Sequence, residues 1–203
     1  MIEVEVKLKI DNRNSVEEQL KDQGFCLHKR VKETDTYFDG GLYGIKKSGQ
    51  ALRVRKTVDF MTGAEKSELN FKGAKIDTVS MARQELETEV IDGEVVTKIL
   101  EAIGFHKAEP RVTKQRWLMS RDDMHACLDE VEGLGSFLEL EILVENEEGR
   151  PKALARIEEI LMSLGYTMKD TTRVSYLGRL QGGISESNMY GMRPLKKKAY
   201  NQS

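Results

Sequence analysis

Acidic and basic side chains recur at every second position in several short stretches of this chain. The sets are Glu3/Glu5/Lys7/Lys9, Arg53/Arg55, Arg83/Glu85/Glu87/Glu89 and Glu139/Glu141, with Lys72 and Lys114/Arg116 adding bases. On a strand, alternate positions share a face, so two carboxylates two residues apart sit roughly 7 Å from each other. Such pairs offer the oxygens that Mg²⁺ or Mn²⁺ requires. Arginine forks and lysine ammoniums match phosphate oxygens. Together they suit a metal-bound polyphosphate, whose transfer reactions are mostly positioning and electrostatics.

Any one of these strands alone reads as the wet outer face of an antiparallel sheet. The set reads differently because of what must position it. Ile2, Val4, Val6, Leu8 and Ile10 alternate with the first charged set as a strand. A helix follows, with Ser15 as cap, Glu18 three residues on and Gly24 as its end. Further strands are expected at 34–39, 51–58, 69–72, 83–91, 112–119, 125–131 and 137–144. A second helix is expected over 94–103, with Val95, Val96, Ile99, Leu100 and Ile103 on its apolar face. Pro151 opens a third helix that Gly165 stops, and a short helix fits after Thr172. Eight strands suffice to close a barrel that holds side chains or one small ligand. If the amphipathic helices pack on the apolar outside, the charged faces point inward, and such an interior calls for a polyanion with bound metal.

The chain also repeats at a spacing of 80: Glu5/Glu85, Gly24/Gly104, Phe25/Phe105 and Tyr37/Trp117. Either two strand-helix-strand units look alike by chance, or two halves face each other across a pseudo-twofold axis around a shared cavity.

Composition narrows the classes. Of 203 residues, 33% are charged yet the net charge is only −2. That balance is unlike a basic nucleic-acid binder or an acidic disordered chain. Cys26 and Cys127 form neither a ligand cluster nor a disulfide framework. No apolar signal region or membrane-length run occurs, so a cytoplasmic protein with no membrane or nucleic-acid partner is expected. His28, His106 and His125 lack metal-ligand spacing, and no P-loop spacing occurs. Cys127 falls on the strand face of Asp129 as a small lining residue. Trp117 and Tyr37 read as packing residues, Tyr37 with the option of touching a base. Residues 1–180 read as one domain and 181–203, with Lys196-Lys197-Lys198, as a flexible basic tail.

Glu3-Val4-Glu5-Val6-Lys7 resembles the Glu-x-Glu-x-Lys signature of the CYTH, or triphosphate tunnel metalloenzyme, superfamily. The resemblance continues in order. It runs through Asp35-Thr36-Tyr37-Phe38-Asp39, Ala51-Leu52-Arg53-Val54-Arg55, Asn70-Phe71-Lys72-Gly73, Arg83-Gln84-Glu85-Leu86-Glu87 and Lys114-Gln115-Arg116. It ends in the stretch Leu128 to Gly135, Phe137 to Glu141 and Ser175-Tyr176-Leu177. The Asp129-to-Gly135 turn and the late Ser-Tyr-Leu are most similar to the class IV adenylate cyclase group. Val174 departs from the basic residue that group often carries.

The resemblance implies an α+β fold: a closed eight-stranded antiparallel β-tunnel with helices packed outside. It implies that Glu3, Glu5, Asp129, Glu139 and Glu141 hold one or two Mg²⁺ or Mn²⁺ ions. Arg53, Arg55, Lys72, Lys114, Arg116 and Arg173 would bind the triphosphate, and Lys7 would lie beside the reacting phosphate. Lys9, Glu85 and Glu87 are further candidates. The implied activity is conversion of ATP to cyclic AMP and pyrophosphate. The alternative is hydrolysis of tripolyphosphate, thiamine triphosphate or a nucleoside triphosphate. A non-catalytic polyphosphate or RNA-end binder and a carrier with an apolar interior are the competing classes. A homodimer is compatible with the resemblance.

Overall fold

Strict alternation builds the first strand, β1 (Ile2–Lys9). Val4, Val6 and Leu8 turn one way and are fully buried, while Glu5 and Lys7 turn the other way. The computed structural model describes residues 2–40, 44–74 and 83–182. Helix α1 (Arg13–Asp22) starts one turn earlier than Ser15 suggests. Asn12 is its cap, accepting from the Ser15 amide at 3.0 Å. Then come β2 (Cys26–Gly40), β3 (Ala51–Asp59), β4 (Glu65–Lys72), β5 (Glu85–Val90) and α2 (Gly93–Ala102). The chain continues with β6 (Phe105–Arg121), β7 (Met124–Val131), β8 (Gly135–Val144), α3 (Arg150–Ser163) and the short α4 (Tyr176–Leu180).

All strands join one antiparallel sheet in the order β1-β8-β7-β6-β2-β3-β4-β5. That order reads the same from either end if each strand is exchanged for its counterpart in the other half, with the β2–β6 pair at the centre. The helices obey the same exchange. Asn12 and Asp92, 80 residues apart, cap α1 and α2 with nearly identical backbone angles, and Gly24 and Gly104 follow the two helices at φ 87° and 100°. Val16 and Leu20 of α1 correspond to Val96 and Leu100 of α2, the residues each helix turns to the sheet. The 80-residue spacing in the sequence is therefore a structural repeat.

The layering is inside-out relative to a common barrel. The apolar faces of β1, β6, β7 and β8 look outward into a core closed by α1 and α3, with Leu8, Leu128, Leu138, Leu140, Ile157 and Leu161 fully buried. A smaller apolar cluster lies under α2, formed by Phe38, Val54 and Leu100 with Leu69 and Phe105. Burying a side chain of this size contributes roughly 1.5–3 kcal/mol, so the outward cores carry the fold. The charged faces point inward.

The sheet is strongly curled, with α1, α2 and α3 on its convex side and the short α4 at the cavity. Its edges β1 and β5 come together through one isolated bridge, Glu3 to Arg83, and through Lys72, which lies 3.4 Å from Glu3 and 2.9 Å from Glu85. No continuous ladder joins them among the described residues, so the expected closed tunnel is found as a curled eight-stranded half-barrel. Of the expected tail, 181–203, residues 183–203 lie outside the described residues, while Gln181 accepts from Lys46 at 3.0 Å and donates to the Glu109 carbonyl at 2.7 Å. Among the described residues no helix is long and apolar enough to cross a membrane.

Candidate functional site

The concave face holds a cavity of about 1130 Å³, lined from seven of the eight strands, from residues 45–50 and from the Arg173–Gln181 region. Cavities of roughly 300–1,000 Å³ take small ligands, so this one has room for a nucleotide. Register explains the convergence. Across β1 and β8, Glu5 stands opposite Glu141 and Lys7 opposite Glu139. Across β2 and β3, Asp35 stands opposite Arg55 and Tyr37 opposite Arg53. Across β4 and β5, Lys72 stands opposite Glu85 and Asn70 opposite Glu87. A one-residue slip in any pair would turn a charged set into the outer core.

The bases are held by buried acids behind them. Asp35 accepts from Arg55 at 2.7 and 2.9 Å and from Arg53 at 3.2 Å. Burial alone would raise its pKa, but Arg53 and Arg55 reverse that and hold it far below the usual carboxylate range. Glu33 meets Arg55 at 3.0 Å and Lys114 at 3.3 Å. Burial opposes its ionisation, and those cations bring it down to about 2. Asp129 accepts from Lys114 at 3.0 Å, from Arg116 at 2.7 Å on each oxygen, and from the Tyr176 hydroxyl at 2.9 Å. Arg53 also reaches Asn70 and the Tyr37 hydroxyl, each at 3.3 Å. These anchors fix the guanidinium planes while their remaining edges line the cavity.

A second group of acids lines the cavity itself: Glu3, Glu5, Glu85, Glu87, Glu139 and Glu141. Lys7 Nζ bonds Glu139 at 2.8 Å, lies 3.4 Å from Glu5 and sits over the Tyr176 ring, 4.3 Å from its centroid. Burial opposes the charge on Lys7, and Glu139 and Glu5 more than restore it, so it stays protonated at any ordinary pH. Arg116 also bonds Glu139. Burial is overcome there by Lys7 and Arg116, which hold Glu139 well below its ordinary value. Glu141 lacks such a partner: burial first, then the facing Glu5, push it up to about 7. Glu3 is also pushed up, by burial against the pull of Lys72, while burial of Glu85 is outweighed by its contacts with Glu3 and Lys72, which draw it down.

These acids fit a hard divalent ion. Glu5 Oε1 is buried and accepts no hydrogen bond, and Glu141, which faces Glu5, has no cation partner among the described residues. Among the described residues, no three carboxylate, imidazole or thiol groups are already gathered at metal-holding distance. The Lys7 and Lys72 ammoniums lie among the acids, and an ion would have to draw the carboxylates off them.

Of the candidate residues, Glu3, Glu5, Lys7, Arg53, Arg55, Lys72, Glu85, Glu87, Lys114, Arg116, Glu139, Glu141 and Arg173 all line this one cavity. Two candidates are placed elsewhere. Lys9 is exposed at the end of β1, beyond the last inward position. Asp129 is 0% exposed behind the cavity wall, and both its oxygens are taken by Lys114, Arg116 and Tyr176. Sequence reasoning passed over Asp35 and Glu33 as holders of the bases. The signal was present in the alternation Glu33/Asp35/Tyr37, masked because residues 26–30 of the same strand do not alternate. Asn70, two residues before Lys72, and Arg83, at the β1–β5 bridge, line the cavity too. Tyr176 was matched as part of a motif, but its hydroxyl and ring contacts depend on tertiary packing. Trp117 is a packing residue as expected, its ring flanked by the Arg13 and Arg30 guanidiniums at 3.9 and 4.7 Å.

Comparison with known proteins adds to this geometry. Residues 1–176 match the CYTH domain family. A Methanocaldococcus jannaschii protein named "Putative adenylate cyclase MJ0240" is 38% identical over 178 residues, covering 87% of this chain and 97% of that protein. The structure of the Pyrococcus horikoshii PH1819 protein superposes with a TM-score of 0.80 at 31% identity, covering 89% of this chain and 98% of that one. A Hippeastrum protein described as a "putative adenylyl cyclase" with a dominant triphosphatase activity gives a TM-score of 0.62 at 19% identity, over 90% and 95% of the two chains, a likeness of fold.

Proposed function

This chain belongs to the CYTH family, and from that premise we propose that it is a divalent-metal-dependent enzyme that converts ATP to cyclic AMP and pyrophosphate in the cavity of the curled sheet. The observation that carries this reading is the sorting of charge within one enclosed space. Bases already tied to buried acids line it beside carboxylates that are short of cations. A metal-loaded triphosphate supplies both deficits at once. The 38%-identical relative named for adenylate cyclase supports the same choice.

Arg53, Arg55, Lys114 and Arg116 would grip the triphosphate from one side of the cavity, Lys72 and Arg173 completing the ring of positive charge. Their buried partners keep them in place before substrate arrives, so little reorganisation is needed on binding. Glu3, Glu5, Glu139 and Glu141 would hold the ion or ions. A divalent ion there would neutralise the phosphoryl oxygens and lower the pKa of the attacking hydroxyl. Lys7 remains an ammonium and so acts by position and charge, beside the phosphate that reacts.

The same cradle serves hydrolysis if water attacks in place of the ribose hydroxyl. Product analysis separates the two. The protein is incubated with ATP and with tripolyphosphate, each with Mg²⁺ and with Mn²⁺, and products are resolved by chromatography. Cyclic AMP with pyrophosphate is the expected outcome. Orthophosphate from tripolyphosphate would make it a triphosphatase, and no turnover of either would end the enzyme reading.

A further inference from the structure

The internal repeat supplies a control for reading the molecular surface. Helices α1 and α2 occupy equivalent places, and their sheet-facing residues agree: Val16 with Val96, Leu20 with Leu100. Their outward residues do not agree. Where α1 and its flanks present Asp11, Ser15, Gln19 and Gln23, α2 and its flanks present Ile91, Val95, Ile99 and Ile103. Val95, Ile99 and Ile103 are 48%, 53% and 65% exposed, and Ile91 is fully exposed. At 100° per residue these four fall within about a third of the helix circumference. Ala102, also exposed, falls inside the same stripe. The neighbouring strands diverge in the same way. In one half α3 packs on the outer face of β1 and β8, and Val6 is 2% exposed; the equivalent Leu86 of β5 is 57% exposed. Among the described residues, one half is finished by its own chain and the other is not.

The charges beside the stripe say what covers it. Glu94 and Lys98 lie on one edge of the stripe, both exposed, and neither forms an ion pair among the described residues. In an antiparallel pair of identical helices related by a twofold axis, the same edge of each helix faces its mate. If the stripe is centred on its midpoint, residue 97, Lys98 and the partner's Glu94 are offset by roughly 3 Å along the axis, well within a lysine's reach. The surface is thus complementary to itself in charge as well as apolar throughout its centre. We propose that the exposed face of α2 is a self-association surface, on which the α2 of a second copy of this chain packs antiparallel, with Ile91, Val95, Ile99 and Ile103 at its centre and paired Glu94–Lys98 bridges at its rim.

The cavity lies on the other side of the sheet, so association leaves its lining untouched. The test is a light-scattering and sedimentation series over protein concentration. The wild-type chain should move from 23.1 kDa towards twice that mass as concentration rises. Ile99→Glu should remain at 23.1 kDa throughout. The rim gives a finer readout that does not depend on that core substitution. Glu94→Lys and Lys98→Glu should each weaken the dimer about fivefold, since each charge reversal acts at two symmetric bridges, and the double variant should recover wild-type affinity. A wild-type chain that stays at monomer mass at every concentration overturns the proposal, including one whose α2 face proves to be covered by its own residues 183–203. So does a dimer whose affinity is unchanged in Ile99→Glu, or charge reversals that fail to compensate.

Discussion

The two groups of acids differ in what opposes their charge, and that difference sets what each residue contributes. Asp129 is surrounded by Lys114, Arg116 and Tyr176. Replacing it by Asn leaves buried Lys114 with Glu33 alone and partly buried Arg116 with Glu139 alone, a change that costs up to about 3–5 kcal/mol. Asp129→Asn should therefore lower the urea midpoint strongly even with no metal present. Glu141 sits at the other extreme. Burial and Glu5 raise its pKa from 4.5 to about 7, so the folded chain binds a proton there that the unfolded chain has already released. The stability this brings is full below pH 4.5 and is lost as pH rises through 7. Metal-free protein should accordingly melt lower at pH 8 than at pH 6. Glu141→Gln should reduce that dependence, leaving the part that Glu3 contributes, and raise the melting temperature at pH 8 while abolishing metal-dependent turnover. A Glu141→Gln variant less stable than wild type at pH 8 would show that Glu141 has a cation partner in the resting state. The alternation of charges told which of these residues share a face. It did not tell that Asp129 is an anchor, because that depends on which bases lean on it from β6 and on Tyr176 arriving from the far end of the chain.

Elements with a strict period were legible and those without one were not. β1, β3, β7 and β8 begin and end within two residues of where alternation places them. β2 and β6 extend far beyond it, to 15 and 17 residues, because their first halves are largely exposed and each pairs chiefly with the second half of the other strand, so no buried face imposes alternation there. Both also carry register shifts, at Leu27/Lys29 and Asp35/Tyr37, which a pattern of period two cannot anticipate. The seat of α2 was also hidden. Gly93, at its first turn, approaches β3 and β4 so closely that an added Cβ would lie 2.8 Å from Ser67 Oγ and 3.2 Å from a Val54 methyl. Gly93→Ala should push the helix off the Phe38–Val54–Leu100 cluster and cost about 1–3 kcal/mol, read as a lower melting temperature. Its effect on KM should be small, because Ser67, Val54 and Leu100, which it would displace, are not part of the cavity lining.

At the scale of the whole molecule, a net charge of −2 conceals a spatial separation: neutral cores on the outside of the sheet and opposed charges within its curl. Composition showed the balance, and the number of strands made a barrel feasible. How far the sheet bends is a sum of small twists along every ladder, and no local pattern states it. The inward charge makes the native state responsive to what enters it. A ligand that binds only the folded chain stabilises it by RT ln(1 + [L]/Kd), about 2.7 kcal/mol at one hundred times Kd, or roughly 5–10 °C in Tm for a chain of this length. Tripolyphosphate with Mg²⁺ should reach that range, since it meets the free edges of Arg53, Arg55 and Arg116 and relieves Glu3, Glu5 and Glu141 together. Tripolyphosphate alone satisfies only the bases and brings more negative charge near those carboxylates, so its shift should be distinctly smaller. Mg²⁺ alone leaves the arginines facing one another and should give a small shift as well. The combined shift should exceed the sum of the two, because each component screens the repulsion that limits the other. Scanning calorimetry of the four mixtures measures this directly: strictly additive shifts, or an equal shift from sodium chloride at matched ionic strength, would mean that acids and bases in the cavity do not act on one shared ligand.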